Sequence, residues 1–252
     1  MIIHTDGDPK SPAIVLLHPM LLSGRQMAEM LGRKIPGSYY LVTPDQGGHG
    51  EDKDGVFSAQ QDARELQQFL LSQGISEVAL LYAASMGGTT AMELLKLGGL
   101  HFRAVHLDGI PLAKHKGAFH TVLALLLMLL NRKKAQKDPE AVAKLLARQY
   151  GDKLGKSMAS QLADLGPGNI WRIETSCASG CTVPLEEKIC GRTTFEWGGK
   201  ESNLRLGKPL AEKMYPWARI IVREGLGHCE YLGRNPEVYA LEIGKEIGAA
   251  TD

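Results

Sequence analysis

Ala83-Ala84-Ser85-Met86-Gly87-Gly88 stands between an apolar run, EVALLY (77–82), and a helical pattern that stops near Gly98-Gly99. A serine hydroxyl is a poor nucleophile at neutral pH until a base removes its proton. A sharp turn directly after a strand lifts such a hydroxyl clear of the sheet, and side chains two places before and after it must be small. The usual spacing is Gly-x-Ser-x-Gly. Here Ala83 fills the first small position and Gly87 the second, so the size requirement is kept. The helix that follows aims its positive end at the serine, a favourable place for a developing oxyanion.

The elements around that turn alternate. AIVLLH (13–18), YYLVT (39–43), EVALLY (77–82), RAVHLD (103–108), TTFEW (193–197) and ARIIV (218–222) read as strands. Residues 58–73 read as a helix, with Ala59, Ala63, Leu66 and Leu70 at helical spacing and Ser58 with Gln61 arranged as a cap. Asn235-Pro236-Glu237 is a strong start for the last helix. Strands apolar throughout are buried on both faces. Alternation with helices makes their connections right-handed crossovers in a mostly parallel, doubly wound α/β sheet. Ligands bind such sheets beyond the carboxyl ends of the strands.

The alternation breaks between residues 112 and 189, where helices are expected over 118–135, 138–150 and 155–165 and no strand is legible. We read 1–111 with 190–252 as the α/β core and 112–189 as an all-helical cap inserted over the strand ends. VLALLLMLL (122–130) is too short for the roughly 20 residues of a membrane span. It reads as a heavily buried helix, with Leu123, Leu126, Leu127, Met128 and Leu130 offering an apolar wall to a substrate or to the core; it could also support a homodimer. The start, MIIHTDGDPKSP (1–12), reads as polar and turn-rich, without the basic and apolar regions of a signal peptide.

The resemblance that emerges is to the α/β-hydrolase-fold superfamily, in its capped form, over nearly the whole chain. HPMLLSG (18–24) resembles that family's oxyanion loop, with Pro19 where Gly is usual. TPDQGGHGED (43–52) resembles its Asp-x-x-Gly-His-Gly loop, FEWGGKESNL (195–204) the strand-end loop that carries an acid, and GLGHCEYLGRNPE (225–237) the late loop that carries a histidine. The family's first antiparallel strands look largely missing before Ala13.

The resemblance implies Ser85 as nucleophile, His228 as its general base, and Glu201 as the acid that orients His228. Asp108, ending RAVHLD, is the rival acid. The oxyanion would be held by the backbone N–H groups of Met20 and Met86, whose side chains would also line the substrate pocket. His18 is expected to brace the oxyanion loop, and Asp45 and His49 to be loop scaffolding. Cys229 beside His228 reads as packing, and His101, His106, His115 and His120 show no ligand spacing.

These features point to a serine hydrolase that cleaves a small or medium apolar ester, thioester, amide or lactone through an acyl-enzyme. A non-catalytic ligand binder on the same fold, or a carbon–carbon bond hydrolase, are the alternatives. No Gly-x-Gly-x-x-Gly is present, so no nucleotide cofactor is implied, and the chemistry needs no metal. The formal net charge of +1 gives no electrostatic footprint for nucleic acid. Four cysteines, Cys177, Cys181, Cys190 and Cys229, are too few for a disulfide scaffold at 252 residues and suit reduced thiols in a cytoplasmic protein.

Overall fold

The computed structural model describes residues 1–114 and 117–249; His115 and the side chain of His120 lie outside that description. Eight strands form one sheet: β1 (Ile2–Asp6), β2 (Ala13–Leu17), β3 (Tyr40–Asp45), β4 (Glu77–Ala84), β5 (His101–Phe102), β6 (Val105–Asp108), β7 (Thr193–Gly198) and β8 (Arg219–Arg223). The order is β1-β3-β2-β4-β6-β7-β8, with short β5 beside β4. Every pairing is parallel except β1 with β3.

The wholly apolar runs of β2 and β4 are buried on both faces because side chains alternate across the sheet. Ile14, Leu16, Leu80 and Tyr82 belong to one core, which takes in Met27 of α1 (Gly24–Met30) and Tyr239, Ile243 and Ile247 of α11 (Pro236–Ala249). Val15, Leu17, Leu81 and Ala83 point the other way. They pack with Leu66 and Leu70 of α2 (Ala59–Ser72) and Leu94 of α3 (Met86–Leu97). Ser58 caps α2 by accepting from the Gln61 N–H, and Asp138 caps α5 (Pro139–Tyr150) by accepting from the Ala141 N–H.

Residues 1–12 depart from the sequence reading, because β1 pairs antiparallel with β3 from Ile2 opposite Asp45 to Asp6 opposite Leu41. As an edge strand with a solvent-facing side, it tolerates the polar residues that made it read as a turn.

Between β6 and β7 the chain forms α4 (Ala118–Lys137), α5, α6 (Asp152–Asp164), α7 (Pro167–Ser179) and the single turn α8 (Glu187–Cys190). Helix α7 lies beyond the three helices expected there; Pro167 is its first residue, where its missing N–H costs nothing. Helices α5 and α6 pack closely at Gly155, where a Cβ would come 2.6 Å from the Ala143 carbonyl oxygen and the Ala147 nitrogen.

Helix α4 is not heavily buried. Val122, Leu123, Leu126 (51% exposed), Leu127 and Leu130 (61% exposed) face outward, while Leu125, Met128 and Leu129 pack against the core. Apolar residues surround this helix, and neighbouring helices cover one face only, so four of its six leucines stay exposed to water. None of the described helices is long and apolar enough to cross a membrane. The remaining helices are α9 (Ser202–Met214), after β7, and the short α10 (Glu230–Arg234), after β8.

Candidate active site

The carboxyl ends of β2, β4, β6, β7 and β8 converge on one cluster. After β4, Ser85 turns the chain into α3 with φ 49° and ψ −116°. That left-handed backbone is strained for a residue with a Cβ and is held from both sides. The Ser85 N–H donates to the Asp108 carbonyl at 2.8 Å, and α3 packs so tightly on β2 that a Cβ on Gly87 would meet the Leu17 carbonyl oxygen at 2.6 Å. Among the described residues, the non-glycine positions with positive φ are Leu21, Ser85 and Cys229, and all three line the same cavity. Strain concentrated at one place is characteristic of functional sites.

The Ser85 Oγ lies 2.7 Å from His228 Nε2. The other ring nitrogen, Nδ1, is hydrogen-bonded to Glu201 Oε2. Glu201 Oε1 accepts from the Gly198 N–H at 2.6 Å. The longer glutamate side chain thus folds back over its own turn, closed by the Glu201 N–H donating to the Gly198 carbonyl at 3.2 Å. Burial lowers the pKa of His228, while the hydrogen bond and charge of Glu201, with the charge of Asp108 behind, outweigh burial and leave it raised. A serine hydroxyl in this setting can pass its proton to an imidazole whose resulting charge meets a carboxylate.

Asp108 is placed differently. Its carboxylate is buried and accepts from the Tyr82 hydroxyl at 3.0 Å, and burial, then the charge of Glu196, raises its pKa. The hydrogen-bonding carboxylate at His228 is Glu201; Asp108 acts on that ring through charge alone.

The loop after β2 is braced by a buried polar group. His18 Nδ1–H donates to the Pro19 carbonyl at 2.8 Å, and His18 Nε2 accepts from the Gln46 N–H at 3.0 Å. The Gln46 amide donates to the His18 carbonyl and accepts from Thr90, so β2, β3 and α3 are tied through one side chain. Burial lowers His18 to about 4 and, aided by the charge of His18, lowers His49 to about 3, so both rings are neutral. Asp45 accepts from the N–H groups of Gly24 and Glu51 and pairs with His4 of β1. Met20 follows this braced segment, and Met86 opens α3, where a first-turn N–H has no partner within the helix.

Two residues that sequence reasoning missed hold the histidine loop. The Tyr150 hydroxyl and the Gln149 amide, both at the end of α5, donate to the His228 carbonyl at 3.0 and 3.1 Å. No motif marks them; their role exists only because α5 packs over that loop.

Two cavities share Ser85, His228 and Met20. One, of about 260 Å³, is walled by apolar side chains, among them Leu22, Met128, Val142, Leu146, Met158 and Leu162. The other, of about 410 Å³, runs between Met86, Pro111, Thr121, Glu174, Ser202 and Asn203. Of the leucine stripe expected to wall a pocket, only Met128 does so. No cluster of three or more His, Cys, Asp or Glu side chains among the described residues could hold a metal ion.

No family model matches the sequence, and no curated protein matches it significantly. Solved structures do. A Desulfitobacterium hafniense protein of the alpha/beta hydrolase family is similar with a TM-score of 0.68 at 18% identity, over 99% of this chain and 100% of that one. The chain has the α/β-hydrolase fold. A thermophilic esterase from Thermogutta terrifontis shares the fold with a TM-score of 0.74 at 15% identity, over 99% of this chain and 94% of that one. MenH from S. aureus shares it with a TM-score of 0.70 at 15% identity, covering 100% and 99% of the two chains. In this α/β-hydrolase fold, Ser85, Glu201 and His228 follow β4, β7 and β8 in that order.

Proposed function

We propose that this protein is a cofactor-independent serine hydrolase that cleaves a carboxylic ester, or a related acyl compound, through an acyl-enzyme. The observation that carries the reading is the chain of hydrogen bonds from Ser85 Oγ through both His228 nitrogens to the Glu201 carboxylate. Ser85 attacks the acyl carbonyl as His228 takes its proton, and Glu201 stabilises the imidazolium. The tetrahedral oxyanion is held by the N–H groups of Met20 and Met86. His228 then protonates the leaving group, the acyl group stays on Ser85, and a water deprotonated by His228 releases the acid and restores the serine.

The helices of 112–189 act as a cap that supplies one side of the apolar wall, through Met128, Val142, Leu146, Met158 and Leu162 among others, and that wall favours an acyl chain of small or medium length. Several structures sharing the fold are named esterases, which agrees with this reading.

The test is the intact mass of the protein after exposure to a fluorophosphonate. A single adduct on wild type and none on Ser85→Ala is the expected result, with ester turnover in the variant reduced by at least roughly 10⁴-fold. Turnover that survives in Ser85→Ala would sink the assignment. Absence of an adduct on both proteins would leave a ligand-binding role instead.

A further inference from the structure

The two cavities meeting at Ser85 differ in chemistry. Apart from the shared His228, neither an acidic nor a basic side chain lines the apolar one. The other holds Glu174, together with the polar side chains of Thr121, Ser202 and Asn203, and no Lys or Arg among its lining residues. Glu174 lies on α7, next to Ile173 and one turn before Cys177, half-buried. Among the described residues it has no hydrogen-bonding or ion-pair partner, and burial alone raises its pKa. A carboxyl group partly removed from water without a partner is a standing cost that a ligand donor can relieve. The mechanism at Ser85 makes no use of it.

We infer that the cavity lined by Glu174 receives the leaving-group half of the substrate and selects one that carries an ammonium or similar cationic donor, while the apolar cavity takes the acyl chain. This deepens the serine-hydrolase reading and rests on it. Both cavities open on the same serine and histidine, so an ester seated across Ser85 must place one half in each. A site built around an unpaired acidic group discriminates against an uncharged isostere more sharply than an apolar pocket discriminates by shape.

The matched probes are 4-(aminomethyl)phenyl butyrate and 4-ethylphenyl butyrate, alike in shape and differing by a single ammonium. Wild type should show a kcat/KM about tenfold higher for the cationic ester. Glu174→Gln should bring the ratio to near one by lowering kcat/KM for the cationic ester, and Glu174→Lys should invert it. Binding is measured separately by calorimetry on Ser85→Ala and on Ser85→Ala/Glu174→Gln, where turnover plays no part. A cationic preference in Kd for the first that collapses in the second upholds the role of Glu174 even if no ester is hydrolysed by wild type, an outcome that would overturn the hydrolase reading alone. Equal affinities for both probes in Ser85→Ala, or a preference that persists in Glu174→Gln, would overturn the inference.

Discussion

Glu201 and Asp108 are both carboxylates at strand ends near His228, and they do different work. Glu201 binds the ring directly and also accepts from the Gly198 N–H, so its carboxylate is held in orientation. Asp108 is turned toward Tyr82. Replacing Glu201 by Gln removes the influence that raises His228, while burial, which lowers it, remains. In the proposed mechanism the base works only when neutral, so activity should be lost as pH falls through the His228 pKa. The Glu201→Gln variant should therefore show its acid limb displaced to lower pH, together with a fall in kcat of about 10³-fold or more. A pH–rate profile with an unmoved limb would mean that Glu201 does not govern the ring. Asp108→Asn should keep most of the activity, and a loss comparable to that of Glu201→Gln would reverse the assignment.

Ser85 is presented by the junction of β4 and α3, and the histidine loop by the end of α5. At the first, Gly87 lies under two backbone carbonyls, those of Leu17 at 2.6 Å and His18 at 2.9 Å from a built Cβ. Backbone cannot yield as a side chain does, so Gly87→Ala should destabilise the fold by about 2 kcal/mol and slow labelling of Ser85, both measurable by thermal melting and by the rate of fluorophosphonate adduct formation. At the second, Tyr150→Phe removes one of two hydrogen bonds to the His228 carbonyl. A stability loss of about 1 kcal/mol and a several-fold lower labelling rate are expected. An unchanged labelling rate would show that α5 only covers the loop. Helix α4 gives the opposite expectation on its outer face: Leu126→Gln and Leu130→Gln should shift stability by less than about 0.5 kcal/mol, because those side chains already meet water.

Across the whole molecule, buried histidines make stability depend on pH in two directions. His106 is buried against Glu246, Glu196 and Tyr239. Burial lowers its pKa, but the hydrogen bonds and charges of the two glutamates prevail and raise it to about 10. Its folded value exceeds its ordinary value of 6.5, so its contribution is complete below pH 6.5 and is lost as pH rises through about 10. Asp62, raised by burial to about 7, acts in the same sense at lower pH. His18 and His49 are depressed to about 4 and about 3, so their contribution is present above pH 6.5 and lost as pH falls through those values. Melting temperature should decline from pH 7 to pH 10, and His18 and His49 add a decline between pH 6.5 and about pH 3. His106→Gln should flatten the alkaline decline; an unaltered slope would show that another group is responsible.

The strands, the main helices and the serine turn were legible in the sequence because local rules decide them. Apolar runs of β2, β4 and β6 must be buried, Ser58, Asp138 and Pro236 start helices by satisfying or lacking particular N–H groups, and only small residues permit the backbone at Ser85. The α/β class follows from such local signals, while the order of Ser85, Glu201 and His228 comes from the resemblance of the loops after those strands to the α/β-hydrolase pattern. What remained open depends on distances between residues far apart in the chain. The choice of Glu201 over Asp108 turns on which carboxylate the folded β7 and β6 ends aim at one ring. The pairing of β1 with β3, the outward face of α4, the hold of Tyr150 and Gln149 on the His228 loop, and the place of Glu174 in a cavity shared with Ser85 have no local signature. Each is set by which surfaces pack together, and packing is a property of the assembled chain rather than of any stretch of it.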